Sequence, residues 1–174
     1  MGHDLHLPTD GPVVAAAVVV HPHPAMGGDR HHPLVVAMSE RLAAAGVAAL
    51  RLDLPDPDVA AAAGALEAAA TDLLREVGVE RLSLVGYSWG SVVATLAAPL
   101  GLTARVLVAP PVASFAFAST DDLPSLVLVP AHDQYGGPDA VDAAIGGRPA
   151  TTIETIEGCD HFLAGAIDRI ATRA

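Results

Sequence analysis

Short apolar runs alternate with longer helical segments along this chain, and the links between successive runs are too long for hairpins. Residues 13–20 (VVAAAVVV) form such a run and end at prolines, the pattern of a strand buried on both faces. Residues 47–52, 81–86, 104–109, 126–130 and 151–157 repeat the pattern. Between them, residues 33–45, 59–77, 88–100 and 138–145 carry apolar side chains near helical spacing, and residues 162–172 read as a closing helix. Gly46 and Gly78 stand where two of these helices stop. Parallel strands need crossovers of this length. The expected fold is therefore α/β: a mostly parallel sheet of about six or seven strands with helices on both faces, in a single domain spanning residues 1–174. Residues 110–124 are the least regular stretch.

Charge and composition narrow the function. Lys+Arg number 9 against 20 Asp+Glu, a formal charge of −11, and every cation is an arginine. A surface this acidic repels phosphate backbones, so no nucleic-acid partner is expected. One cysteine makes no internal disulfide. The N-terminus lacks a basic segment followed by an apolar one, so it does not read as a signal peptide. The longest apolar run is far short of the ~20 residues that cross a bilayer. A cytoplasmic protein with no membrane partner, monomeric or a small homo-oligomer, is the expectation.

In open α/β sheets, ligands sit beyond the carboxyl ends of the strands. The chemically able residues fall there: His21 and His23 after the first run, Ser88 after the third, Asp133 after the fifth and His161 after the sixth. Gly86-Tyr87-Ser88-Trp89-Gly90 is a G-x-S-x-G segment between a strand and a helix. A sharp turn there raises the Ser88 hydroxyl above the sheet and aims a helix N-terminus at developing negative charge. A serine needs a base, and the base an acid to orient it. His161 and Asp133 supply them in the chain order Ser, Asp, His. Among other carboxylates, Asp121 and Asp122 precede the fifth run, Asp139 lies within the next helix, and Asp160 adjoins His161.

Over nearly its whole length the chain resembles the α/β-hydrolase superfamily. His21-Pro22-His23-Pro24 followed by Gly27-Gly28, then GYSWG, HDQY and GCDHF, is similar to the small lidless hydrolases related to dienelactone hydrolase. The resemblance implies a serine hydrolase of small carboxylic esters or thioesters, with a Ser88–Asp133–His161 triad and no cofactor. It also implies an oxyanion donor just after the first buried strand. Pro22 and Pro24 have no N–H, which leaves the His23 amide, with Met26 as the alternative. The Trp89 amide, next after the nucleophile, would be the second donor. Met26, Tyr135 and Phe162 stand where the substrate pocket is expected.

The chain departs from its relatives in a stiff rim, Leu54-Pro55-Asp56-Pro57-Asp58, in N-terminal strands clipped to about residues 5–7, and in having no lid insertion between Ala109 and Leu126. Eight histidines invite a metal reading, but their spacing is not that of a zinc motif, so no metal is expected. His21 reads as a buried residue shaping the oxyanion loop, His31 and His32 as surface, and Cys159 as a small buried filler. Trp89 fits either the pocket or the core. A non-catalytic binding protein on the same fold is the competing expectation.

Overall fold

The computed structural model describes residues 2–54, 56–117 and 122–174. Seven strands form one sheet: β1 (His3–His6), β2 (Ala15–Val20), β3 (Val47–Leu52), β4 (Leu82–Tyr87), β5 (Leu102–Val108), β6 (Ser125–Pro130) and β7 (Thr151–Ile156). Their order across the sheet is β1-β3-β2-β4-β5-β6-β7. Only β1 runs antiparallel, pairing His3 with Leu52 and His6 with Ala49 on β3. Among the described residues, α1 (Pro33–Ala44), α2 (Val59–Val77), α3 (Trp89–Leu96) and α4 (Pro138–Ile145) lie between strands, and α5 (Ile167–Arg173) follows β7.

The central strands are largely apolar on both sides because both sides are covered. Val18 and Val20 of β2, Leu84 of β4, Leu107 of β5 and Val127 of β6 share one buried cluster with Leu66 and Leu73 of α2 and Val93 of α3. Val19, Val85, Val108 and Leu128, their neighbours in sequence, face the opposite layer with Leu34 and Met38 of α1 and Ile170 of α5. Period-two alternation therefore divides one continuous apolar run between two cores. Among the described residues, no helix is long and apolar enough to cross a membrane.

Two helices depart from expectation. The helix read over 88–100 stops at Leu96, with Ala97 extended at ψ 137°. Ala98 precedes a proline, which pushes it out of the helical region, and its amide donates to Glu67 Oε1 on α2 (2.8 Å). The closing helix begins at Ile167 rather than 162, because Leu163 (φ 59°) and Gly165 (φ 72°) are left-handed and break the turn. The clipped N-terminal strand is present but lies over residues 3–6 rather than 5–7. Part of the segment expected to lack a lid, residues 118–121, lies outside the described residues, as does Pro55 in the rim.

A charge cluster anchors β1 beside the site. The Arg30 guanidinium bridges Asp4 (3.0 Å) and Asp53, and the Arg30 amide donates to Asp53 Oδ1 (3.0 Å). Arg51 donates to the Arg30 carbonyl (2.7 Å) and to His6 Nε2 (3.1 Å). Partial burial alone would raise the Asp53 pKa, but the Arg30 amide, guanidinium and charge outweigh it and hold this carboxyl below 3.8. A depressed carboxylate stabilises the fold above its unfolded pKa, and that stability is lost as pH falls through the folded value. Asp53→Asn is expected to lower the urea midpoint at neutral pH. Below about pH 5 the variant should also lose stability less steeply than the wild type. Parallel urea titrations from neutral to acid pH measure both.

Candidate active site

The β4–α3 turn carries Ser88 at φ 54°, ψ −123°, a left-handed conformation for a residue with a side chain. Both flanking glycines are steric necessities. A Cβ on Gly86 would lie 2.3 Å from the Gly90 carbonyl oxygen, inside the turn itself. One on Gly90 would lie 2.6 Å from the carbonyl oxygens of Val20 and His21, where α3 crosses the end of β2.

Above this turn three side chains from separate loops meet. The Ser88 hydroxyl is 2.8 Å from His161 Nε2. His161 Nδ1 is 2.8 Å from Asp133 Oδ2 and 3.0 Å from Oδ1. A carboxylate only accepts, so Nδ1 carries the ring proton and Nε2 is left to accept from the serine. Asp133 has a fully buried side chain. Its Oδ1 accepts from the amides of Tyr135 (2.8 Å) and Gly136 (3.2 Å). The His161 loop is pinned by the Tyr87 hydroxyl, which donates to the His161 carbonyl (2.8 Å). Burial drives the Tyr87 pKa upward, aided by Asp133 and Asp160, so this phenol stays a donor. Asp160 does not compete for the imidazole: it is exposed, and its Oδ1 accepts from the Phe162 amide (3.0 Å).

The amides of His23 and Trp89 donate to no protein group among the described residues. The Met26 amide is occupied, donating to the His23 carbonyl (3.0 Å) in a short 3-10 turn over Pro24–Met26. Of the two loop amides considered from sequence, only that of His23 is therefore free. A cavity of about 200 Å³ opens over Ser88, and Met26, Tyr135 and Phe162 line it. Met26 (70% exposed) and Phe162 (56%) form its rim. The Tyr135 ring meets His161 edge-on, with centroids 4.7 Å apart. Trp89 is buried under the turn, edge-on to His23, and its Nε1 has no hydrogen-bond partner among the described residues.

Sequence reasoning missed two parts of the lining. His32, expected at the surface, is half-buried: Nδ1 caps α1 by accepting from the Leu34 amide (3.3 Å), its ring packs 5.1 Å from Tyr87, and it borders the cavity. Its position just before Pro33 at a helix start was the available signal. Phe115 and Ser114 also border the cavity, from the irregular segment after β5, where no periodicity marked them. His21 and Cys159 are both buried, and burial pushes the Cys159 thiol pKa up. Among the described residues, no three His, Cys, Asp or Glu side chains are gathered so as to hold a metal ion.

No protein-family model and no curated protein matches this chain by sequence. Solved structures do match by shape. An α/β serine hydrolase homologue from Coxiella burnetii superposes with a TM-score of 0.83 at 18% identity, over 98% of this chain and 89% of the other. A lidless α/β serine hydrolase from Xanthomonas campestris gives 0.81 at 22% identity, over 98% and 87%. The chain has the α/β-hydrolase fold. A third match, Est1E from Butyrivibrio proteoclasticus with ferulic acid bound, gives 0.80 at 15% identity, over 99% and 91%. At such identities the likeness speaks for the fold.

For this α/β-hydrolase fold the Gly90 crossing is the steric demand beside Ser88 that sets α3 against the end of β2. Gly90→Ala is expected to cost about 1–3 kcal/mol of stability by overpacking against β2. It should also displace the Trp89 amide. A urea melt measures the first, and comparison with Gly64→Ala on α2, where an added Cβ meets nothing within 4 Å, isolates the crossing from helix propensity.

Proposed function

We propose that the chain is a serine hydrolase of small carboxylic esters or thioesters, with Ser88 as nucleophile, His161 as general base and acid, and Asp133 as the group that orients the imidazole. One observation carries this: an unbroken hydrogen-bonded path from the Ser88 hydroxyl through both ring nitrogens of His161 to a buried carboxylate. As the serine oxygen attacks the substrate carbonyl, Nε2 takes its proton. Asp133 then stabilises the imidazolium without itself being protonated. The free amides of His23 and Trp89 bind the oxyanion of the tetrahedral intermediate, a contribution of roughly 3–4 kcal/mol per donor. Collapse expels the leaving group, protonated by His161, and leaves an acyl group on Ser88. Water activated by the same imidazole then releases the acid. The imidazole supplies every proton transfer and the amides the charge stabilisation, so the cycle calls on no metal or organic cofactor.

The cavity favours uncharged substrates. Aromatic and apolar side chains make up much of its lining, none of the nine arginines lines it, and the chain as a whole carries a formal charge of −11. An anionic acyl group would enter without a counter-ion. The cavity's size suits one compact group beside the ester.

A fluorophosphonate is expected to add a single phosphonyl group to Ser88, visible by intact mass and absent in Ser88→Ala. In His161→Ala the labelling rate should fall by at least about a thousandfold. An unlabelled wild type would leave a binding protein as the remaining reading. Among esters, p-nitrophenyl butyrate should exceed p-nitrophenyl hemisuccinate in kcat/KM by on the order of tenfold. Steady-state kinetics at two salt concentrations check this, since added salt should narrow the gap.

A further inference from the structure

His21, at the end of β2, takes no part in the cycle above, yet its ring is held at both ends. Nδ1 lies 2.6 Å from the Pro22 carbonyl oxygen, and Nε2 accepts from the Leu54 amide (2.9 Å). That amide can only donate, so Nε2 is unprotonated and the ring proton sits on Nδ1, directed at Pro22. The Pro22 carbonyl belongs to the same peptide unit as the His23 N–H. In a planar trans peptide the two point in opposite directions, so holding the oxygen aims the hydrogen. The fit around that oxygen is close: a Cβ on Gly28 would lie 2.1 Å from it. The His21 ring also stacks on Trp89, with centroids 5.8 Å apart and planes at 24°, beside the second free amide.

We propose that His21 is a positioning residue: as a neutral imidazole it aims the His23 N–H at the oxyanion, and a proton on Nε2 disables that donor. A proton there would face the Leu54 N–H, donor against donor, in a site only 1% exposed. The ring would have to turn away from the Leu54 N–H, and that turn carries Nδ1 off the Pro22 oxygen it anchors. Burial is the largest influence on this histidine and pushes its pKa down. The Pro22 carbonyl, Asp53 and Asp29 act the other way, and His23 adds to the lowering. His32, on the neighbouring loop, is itself lowered in part by His21. The sign follows: the clamp is intact at neutral pH and is lost as pH falls through the depressed value.

The inference rests on the serine-hydrolase reading, and the test separates the two. With p-nitrophenyl acetate, His21→Gln is expected to lower kcat on the order of 10- to 100-fold with KM within about twofold, less than outright loss of an oxyanion donor. The acid limb of log kcat/KM against pH should have a slope of two in the wild type and one in His21→Gln, which has no proton to take up. A merely structural histidine would not change that slope. Independently of turnover and of the variant's folding, nitrogen-15 histidine spectra of the wild type should show His21 protonated at Nδ1 and bare at Nε2. A variant kcat within threefold of wild type, equal acid slopes, or an Nε2–H tautomer each overturns the proposal while leaving the triad standing. Failure of the wild type to label at Ser88 or to turn over ester overturns both.

Discussion

At the end of β4 the chain reverses into α3 through a serine held at φ 54°, while α3 lies directly against the end of β2. A left-handed non-glycine residue costs on the order of 1–3 kcal/mol and persists only where its surroundings over-determine it. Here they do. The Ser88 amide donates to the Val108 carbonyl (2.8 Å), and the Ser91 amide to the Ser88 carbonyl (2.8 Å). Gly86 and Gly90 let the backbones approach to distances that no side chain permits. Two consequences follow from this one crossing. The serine hydroxyl stands clear of the sheet, and the Trp89 amide lies beside the His23 loop rather than elsewhere along the sheet edge.

Around the turn, each chemically able group is held by atoms that do no chemistry. Asp133 is fixed by two backbone amides, His161 through its own carbonyl by Tyr87, and the His23 peptide through its carbonyl by His21. Main-chain partners dominate this support, which leaves the groups around Ser88 little freedom to move. The Arg30–Asp53 cluster continues the support outward. Asp53 adjoins Leu54, whose amide holds His21, and Arg30 follows the loop that carries His23. The edge strand β1 is thereby tied to the site by Asp4, on the far side of Arg30.

Much of this was legible residue by residue. Ser88 could be read because G-x-S-x-G between an apolar run and a helix leaves few other uses for two glycines. Asp133 could be preferred over Asp160 because a residue adjacent to His161 has little chance to face its ring, and Asp160 indeed turns to the Phe162 amide. The place of His32 before Pro33 marked it as a helix cap, but not as cavity lining, since that depends on Tyr87, which is distant in sequence. The start of α5 was misjudged for a related reason: Leu163 and Gly165 adopt left-handed backbone that their apolar neighbours do not announce. Phe115 and Ser114 lie on a segment with no period at all.

Local chemistry along the chain determined the layered α/β class, the parallel crossovers and the Ser88 turn, because hydrophobic period and turn sterics act between near neighbours. Only the folded arrangement decided which loop amide stays free, which tautomer His21 holds, and that Ser88, His161 and Asp133 lie within hydrogen-bonding distance. Those outcomes depend on hydrogen bonds of 2.8–2.9 Å between segments from different strand ends, set by sheet register and the crossing at Gly90 rather than by any one stretch of residues.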